Sequence, residues 1–100
     1  VELTIGKNNI IEFMKGILDD YVILTIDISY NDEYLISGGK DNYLKLWNLK
    51  SKNLICELKY TNWIRFAKFS PKADYVLSGN NNKDIFIFCL KTKSLIFHIN

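Results

Sequence analysis

YLISGGKDNYLKLWNL, residues 34–49, reads as a strand, a tight turn and a second strand. The apolar run Tyr34 to Ile36 meets Ser37-Gly38-Gly39, and after Lys40, Asp41 and Asn42 large side chains return in Tyr43, Leu44, Leu46, Trp47 and Leu49. Glycine with Asp or Asn between two such runs is the sequence sign of a hairpin. The stretch then recurs: a step of 41, from Ser37 to Ser78, lands on Tyr75-Val76-Leu77-Ser78-Gly79, a polar turn, and Asp84-Ile85-Phe86-Ile87-Phe88-Cys89-Leu90. Ser29 with Ser70, Leu49 with Leu90, Leu54 with Leu95 and Ile55 with Ile96 keep the same step.

A period near forty residues with four short strands per unit is the mark of a propeller blade. On these residues the chain resembles the WD-repeat β-propellers. Ile23, Ile26, Ile28 and Ser29 fit the family's spaced pattern ending in Phe-Ser, Ser37-Gly38 its Ser-Gly element, and Asp41 with Leu46-Trp47-Asn48 its closing motif. In the second copy the roles fall to Ile64, Ala67, Phe69, Ser70, Ser78, Gly79 and Ile87-Phe88-Cys89. The resemblance implies an all-β chain: propeller blades of four antiparallel strands, forming part of a ring.

Rings of four to eight blades need about 160 to 320 residues, so 100 residues supply about two and a half blades. The chain starts at Val1 and is expected to be an excerpt of a longer one. Residues 1–16 are assigned to the end of a preceding blade, 17–59 to a first complete blade and 60–100 to a second. For the first of these, Ile10 to Lys15 aligns as an outer strand, although Ile10, Phe13, Met14 and Ile17 would also share one face of a helix. Expected strands are Val22–Ile28, Tyr34–Ser37, Tyr43–Leu49 and Asn53–Lys59, then Ile64–Phe69, Tyr75–Ser78, Ile85–Cys89 and Ser94–Ile99. Val22 to Ile28, nearly all apolar and β-branched, reads as an inner strand buried on both sides.

Thirteen basic and eleven acidic residues are scattered without long runs, which suits a solvated surface better than a polyanion groove. Gly38-Gly39-Lys40 lacks the spacing of a phosphate loop. One His and two distant Cys cannot assemble a four-ligand zinc site, so neither a metal nor another cofactor is expected. Ser29, Ser37, Ser70 and Ser78 recur at repeat positions, outside any Gly-x-Ser-x-Gly elbow. They read as structural, and no catalytic residue is assigned.

In the family a His, a Ser or Thr, an Asp and a Trp form a buried hydrogen-bond chain. The resemblance carries this structural role to Ser37, Asp41 and Trp47, with no His near residues 16 to 20 to complete it, and Trp47 is placed against its own blade and the next. The second copy has Asn82 for Asp and Phe88 for Trp, so its remaining polar groups are expected to face water or backbone.

What the family implies is a non-catalytic scaffold that mediates protein–protein interaction within a larger assembly. Its partners are proteins held on the loop face; an RNA-associated propeller of a ribonucleoprotein complex is the alternative. Trp63, Asn62, Arg65 and Lys40 form the candidate partner-binding set, because Trp and Arg are the side chains most often found as interface hot spots. Packing of Trp63 over the neighbouring blade is the competing account. No apolar stretch approaches the length of a membrane span, and cysteine usage fits an intracellular protein of cytoplasm or nucleus.

Overall fold

A computed structural model of the chain describes residues 23–80 and 82–99. All their regular structure is β. Strands β1 (Ile23–Ile28), β2 (Tyr34–Gly39), β3 (Tyr43–Asn48) and β4 (Leu54–Lys59) form one antiparallel sheet in sequence order. A second sheet of the same topology follows, made of β5 (Ile64–Phe69), β6 (Tyr75–Asn80), β7 (Ile85–Cys89) and β8 (Ser94–Ile99). The expected strands differ from these by two residues at most, except that Val22 and the proposed 1–16 segment lie outside the described residues.

The 41-residue step reaches into the backbone. Left-handed φ values fall at Asp32 (59°) and Ala73 (60°), at Asn42 (72°) and Lys83 (65°), and at Lys52 (63°) and Lys93 (55°). Each pair closes the same turn in successive sheets. Asp32 N donates to Ser29 O at 3.0 Å, and Ala73 N to Ser70 O at 2.9 Å. A turn that ends on one left-handed residue matches the twist of the strands it joins. The recurring serines serve these turns: Ser29 Oγ accepts from Tyr34 N, and Ser70 Oγ from Tyr75 N, both at 3.0 Å.

The sheets pack face to face. Ile36, Leu44 and Leu46 of the first meet Ile64, Ala67, Val76, Phe86, Phe88 and Leu90 of the second in one buried cluster. Side chains alternate across a strand, so Leu35, Ser37 and Trp47 lie on the opposite face of the first sheet, where Leu35 and Trp47 are directly paired. This corrects the placement of Trp47: it turns away from the second sheet. Its repeat counterpart Phe88 points back at the first sheet and is 1% exposed.

Closest to one another are the inner strands. The edge of β5 away from β6 has amides that no strand pairs, and β1 side chains satisfy two of them: Ala67 N donates to Thr25 Oγ1 at 3.1 Å and Phe69 N to Asp27 Oδ2 at 2.9 Å. Such inner strands are not sealed on both sides, and β1 is half-buried along its whole length rather than fully buried.

Thr25 and Asp27 correspond by the repeat to Phe66 and Lys68. Gly38 lies beneath Ile64 of the next sheet, whose Cγ2 would stand only 2.5 Å from an added Cβ. Gly79, the counterpart of Gly38, is covered instead by Phe66 of its own sheet. Beside Phe66 the second sheet leaves Tyr75, Leu77 and Ile96 exposed, with Ile87 completing the wall of a groove of about 400 Å³. These are the repeat counterparts of Tyr34, Ile36, Ile55 and Leu46, the face that the second sheet covers on the first.

Thr25→Val should therefore cost about 1–3 kcal/mol in the full-length protein, since it strips a partly buried amide of its acceptor. Lys50→Ala, in the exposed turn between β3 and β4, should change stability by less than about 0.5 kcal/mol. Equal losses in denaturant titrations would show that side-chain ties to the β5 edge contribute nothing.

Candidate functional site

The turn between β2 and β3 and the crossing loop from β4 to β5 open at the same end of the sheets. Tyr43, first residue of β3, pairs with Lys59, last of β4. Tyr60 N then donates to Asn42 O at 2.7 Å, pinning the crossing loop to the turn. Asn62 Oδ1 accepts from Trp63 N at 2.8 Å and bends the chain just before Ile64 enters the core.

This geometry carries the indole of Trp63 to the neighbouring turn. Lys40 Nζ stands 4.5 Å from its ring centroid and Arg65 Cζ 5.4 Å. Cations over an indole gain about 0.5–2 kcal/mol depending on exposure. Lys40 and Arg65 are exposed, whereas Trp63 is half-buried and stands outside the apolar cluster. Of the four candidate residues, then, Lys40, Trp63 and Arg65 touch, and Asn62 shapes the loop beneath them.

A second aromatic lies on the same end. Lys45 Nζ and Lys59 Nζ stand 5.8 and 5.7 Å from the ring centroid of Tyr43. Asp41 Oδ1 accepts from Tyr43 N at 3.2 Å, and its Oδ2 is 3.6 Å from Lys45 Nζ. Sequence reading passed over Tyr43 and Lys59. A signal existed: Tyr43 departs from the repeat, its counterpart being Asp84.

Of the three structural residues, Trp47 Nε1 donates to Ser37 Oγ at 3.1 Å, while the contacts of Asp41 lie within its own turn and with Lys45. In the second sheet Ser78 neither faces water nor bonds to backbone, contrary to expectation. It is fully buried, and its Oγ lies 3.0 Å from Tyr60 OH. Tyr60 precedes the inner strand, where the family would offer His, and supplies a hydroxyl that Phe88 cannot replace. Burial pushes its phenol pKa up, with the Ser78 hydrogen bond opposing. The Asx role passes from Asp41 to Asn80, whose Oδ1 accepts from Asn82 N and Asp84 N.

From Tyr60 an aromatic ladder runs outward. The Tyr60 and Phe86 centroids are 4.2 Å apart, and His98 stacks on Phe86 at 4.4 Å and 14°. His98 Nε2 reaches Asp84 Oδ1 at 3.3 Å. A recess of about 220 Å³ opens over these rings, walled by Leu58 and Leu95. Among the described residues no three His, Cys, Asp or Glu side chains gather as metal ligands, and no helix is long and apolar enough to cross a membrane. This end thus presents two rings with cations over them, beside a recess lined by the aromatic ladder.

Comparison with known proteins follows the same lines. Residues 13–48 match the family described as WD domain, G-beta repeat. The chain is 34% identical over 68 residues to a probable coatomer subunit beta' of Schizosaccharomyces pombe, covering 67% of this chain and 8% of that protein. It is 33% identical over 55 residues to the nuclear distribution protein PAC1 of Tuber melanosporum, covering 55% of this chain and 12% of that one. The chain thus spans only a small part of its relatives' length. Among solved structures, the RRP9 WD40 repeats superpose with a TM-score of 0.75 at 16% identity, over 81% of this chain and 26% of that one. U3-55K gives 0.76 at 16% identity, over 81% and 27%. At that identity the likeness is one of fold.

Tyr60→Phe should destabilise the full-length protein by about 1–3 kcal/mol, because it leaves the buried Ser78 hydroxyl without its partner; a melting temperature equal to wild type would deny the bond any structural weight. For Asp84, the Asn80 amide first and His98 second hold the carboxyl below the usual carboxylate range, against the opposing effect of desolvation. A depressed carboxyl stabilises the fold above its unfolded pKa, and that contribution is lost as pH falls through the lower folded value. His98→Phe should keep the stack and raise the Asp84 midpoint while leaving it below the ordinary range, as followed by NMR titration. A midpoint that falls or stays fixed would contradict the assignment.

Proposed function

The chain belongs to the WD-repeat β-propellers, and from that premise we propose that it works as a non-catalytic scaffold within a larger intracellular assembly, holding a protein partner on the loop face around Trp63. A propeller of this family presents rigid blades with loops at their ends, and the family's general role is protein–protein interaction. The observation that carries the proposal is the packing of Lys40, from one blade's turn, over Trp63, from the loop entering the next. An indole outside the core and braced by cations from both sides of a blade boundary has the shape of a pre-ordered anchor, losing little side-chain entropy when a partner covers it. The division at residues 59 and 60 fits this reading, since the face spans the junction of two blades.

The recurring hydroxyls are engaged in structural bonds, Ser37 with Trp47, Ser78 with Tyr60, and Ser29 and Ser70 with turn amides. This supports the non-catalytic reading.

The decisive comparison is Trp63→Ala in the full-length protein, read by partner affinity and melting temperature together. As an anchor, its loss should weaken a partner identified by co-purification by about 2 kcal/mol or more while the melting temperature barely moves. A clear fall in melting temperature with affinity unchanged would leave Trp63 as packing over the adjacent blade.

A further inference from the structure

We propose that the partner segment received by this loop face is acidic, a stretch of protein whose carboxylates fall on Lys40 and Lys59. This rests on the reading of the face as a docking surface, and it adds the chemistry of the occupant.

Four cations gather here on two rings: Lys40 and Arg65 on Trp63, Lys45 and Lys59 on Tyr43. The bond from Tyr60 N to Asn42 O ties the loop that carries Trp63 to the turn that precedes Tyr43. Against them stand Asp41, beside Lys45, Glu57, the cross-strand partner of Lys45, and Asp84, which is held by His98 and Asn80. Lys40 and Lys59 are exposed and face no carboxylate within ion-pair distance among the described residues. Their ammonium groups are held over rings rather than sweeping through solvent, so part of the ordering cost of an ion pair is already met. An ammonium resting on a ring still has N–H donors to offer a carboxylate.

The opposite end of the sheets differs in its rings rather than in its charge. Its turns carry Lys50, Lys52, Lys72, Lys91 and Lys93 together with Asp32, Glu33 and Asp74, but among the described residues no cation there lies over an aromatic ring.

Single-stranded nucleic acid would also welcome cations, yet its affinity draws on bases stacked against open aromatic faces. On this surface the rings already carry cations. Carboxylates need only the cations, which is why an acidic protein segment is the better fit.

The test uses the full-length protein and three labelled probes followed by fluorescence anisotropy: a short glutamate-rich peptide, the same peptide with glutamine for glutamate, and a single-stranded oligouridine. The glutamate peptide should bind roughly tenfold or more tightly than its glutamine counterpart, and less tightly as salt rises. The double variant Lys40→Ala/Lys59→Ala should weaken it by roughly tenfold, the sum of two exposed ion pairs, with the melting temperature lowered only as far as the loss of two exposed cation–ring contacts requires. Lys52→Ala/Lys93→Ala, at the other end, should leave it within about twofold. Equal binding of both peptides, no binding of the glutamate peptide, or equal loss in both double variants would overturn the proposal. Oligouridine binding more tightly than the peptide, and lost in the Lys40/Lys59 variant, would also overturn it and make this a nucleic-acid face. In each of those outcomes a Trp63→Ala variant that still loses its co-purified partner would leave the docking face standing, so the two readings fail separately.

Discussion

Four short strands with large apolar residues on both faces cannot stand alone, and the rest of the structure follows from that constraint. Each sheet must be covered by another, and the contact between Ile36, Leu44 and Leu46 on one side and Val76, Phe86 and Phe88 on the other meets the need once. Burial is non-directional, so it does not fix how one sheet sits on the next. Direction comes from Thr25 and Asp27, which bind amides of β5 two residues apart and set the relative height of the inner strands. With that height fixed, the turn after β2 and the loop before β5 arrive together, and Lys40 meets Trp63.

Polar groups inside this packing are satisfied by whatever the local sequence offers. Ser37 and Ser78 occupy the same repeat position and are both buried, yet one is reached by an indole N–H from its own sheet and the other by a phenol from the crossing loop. The repeat therefore conserves a need rather than a contact. Loss of Trp at position 88 is compatible with the fold because Tyr60 lies within reach of Ser78, and its phenol also extends the aromatic ladder toward His98.

Much of the fold was legible because it is periodic. Alternation in Tyr43 to Leu49 and the step of 41 located the strands, whereas Gly38 and Gly79, read as turn and motif residues, lie within β2 and β6 under Ile64 and Phe66. Three things were hidden for physical reasons. The facing of Trp47 depends on which side of the sheet a neighbour covers, and a pattern apolar on both faces does not say. Tyr60 was obscured because a hydroxyl replaced an imidazole, which preserves hydrogen bonding while erasing the motif. Left-handed turns at Lys52, Ala73, Lys83 and Lys93 use residues that do not advertise that conformation, unlike Asp32 and Asn42. At the candidate site Trp63 and Arg65 stood out by type, whereas Tyr43 and Lys59 became visible only once strand pairing set them side by side.

The two sheets are built alike but do not offer the same seat to a neighbour. Phe66 lies over Gly79 where Ile64 of the next sheet lies over Gly38, and Lys68 stands at the repeat position of Asp27, whose carboxylate accepts from Phe69 N. An inner strand packed on the second sheet meets a ring in place of a hollow and an ammonium in place of an acceptor. The junctions of the repeat are therefore not interchangeable, and the order of blades is written in side chains as well as in the connectivity of the chain.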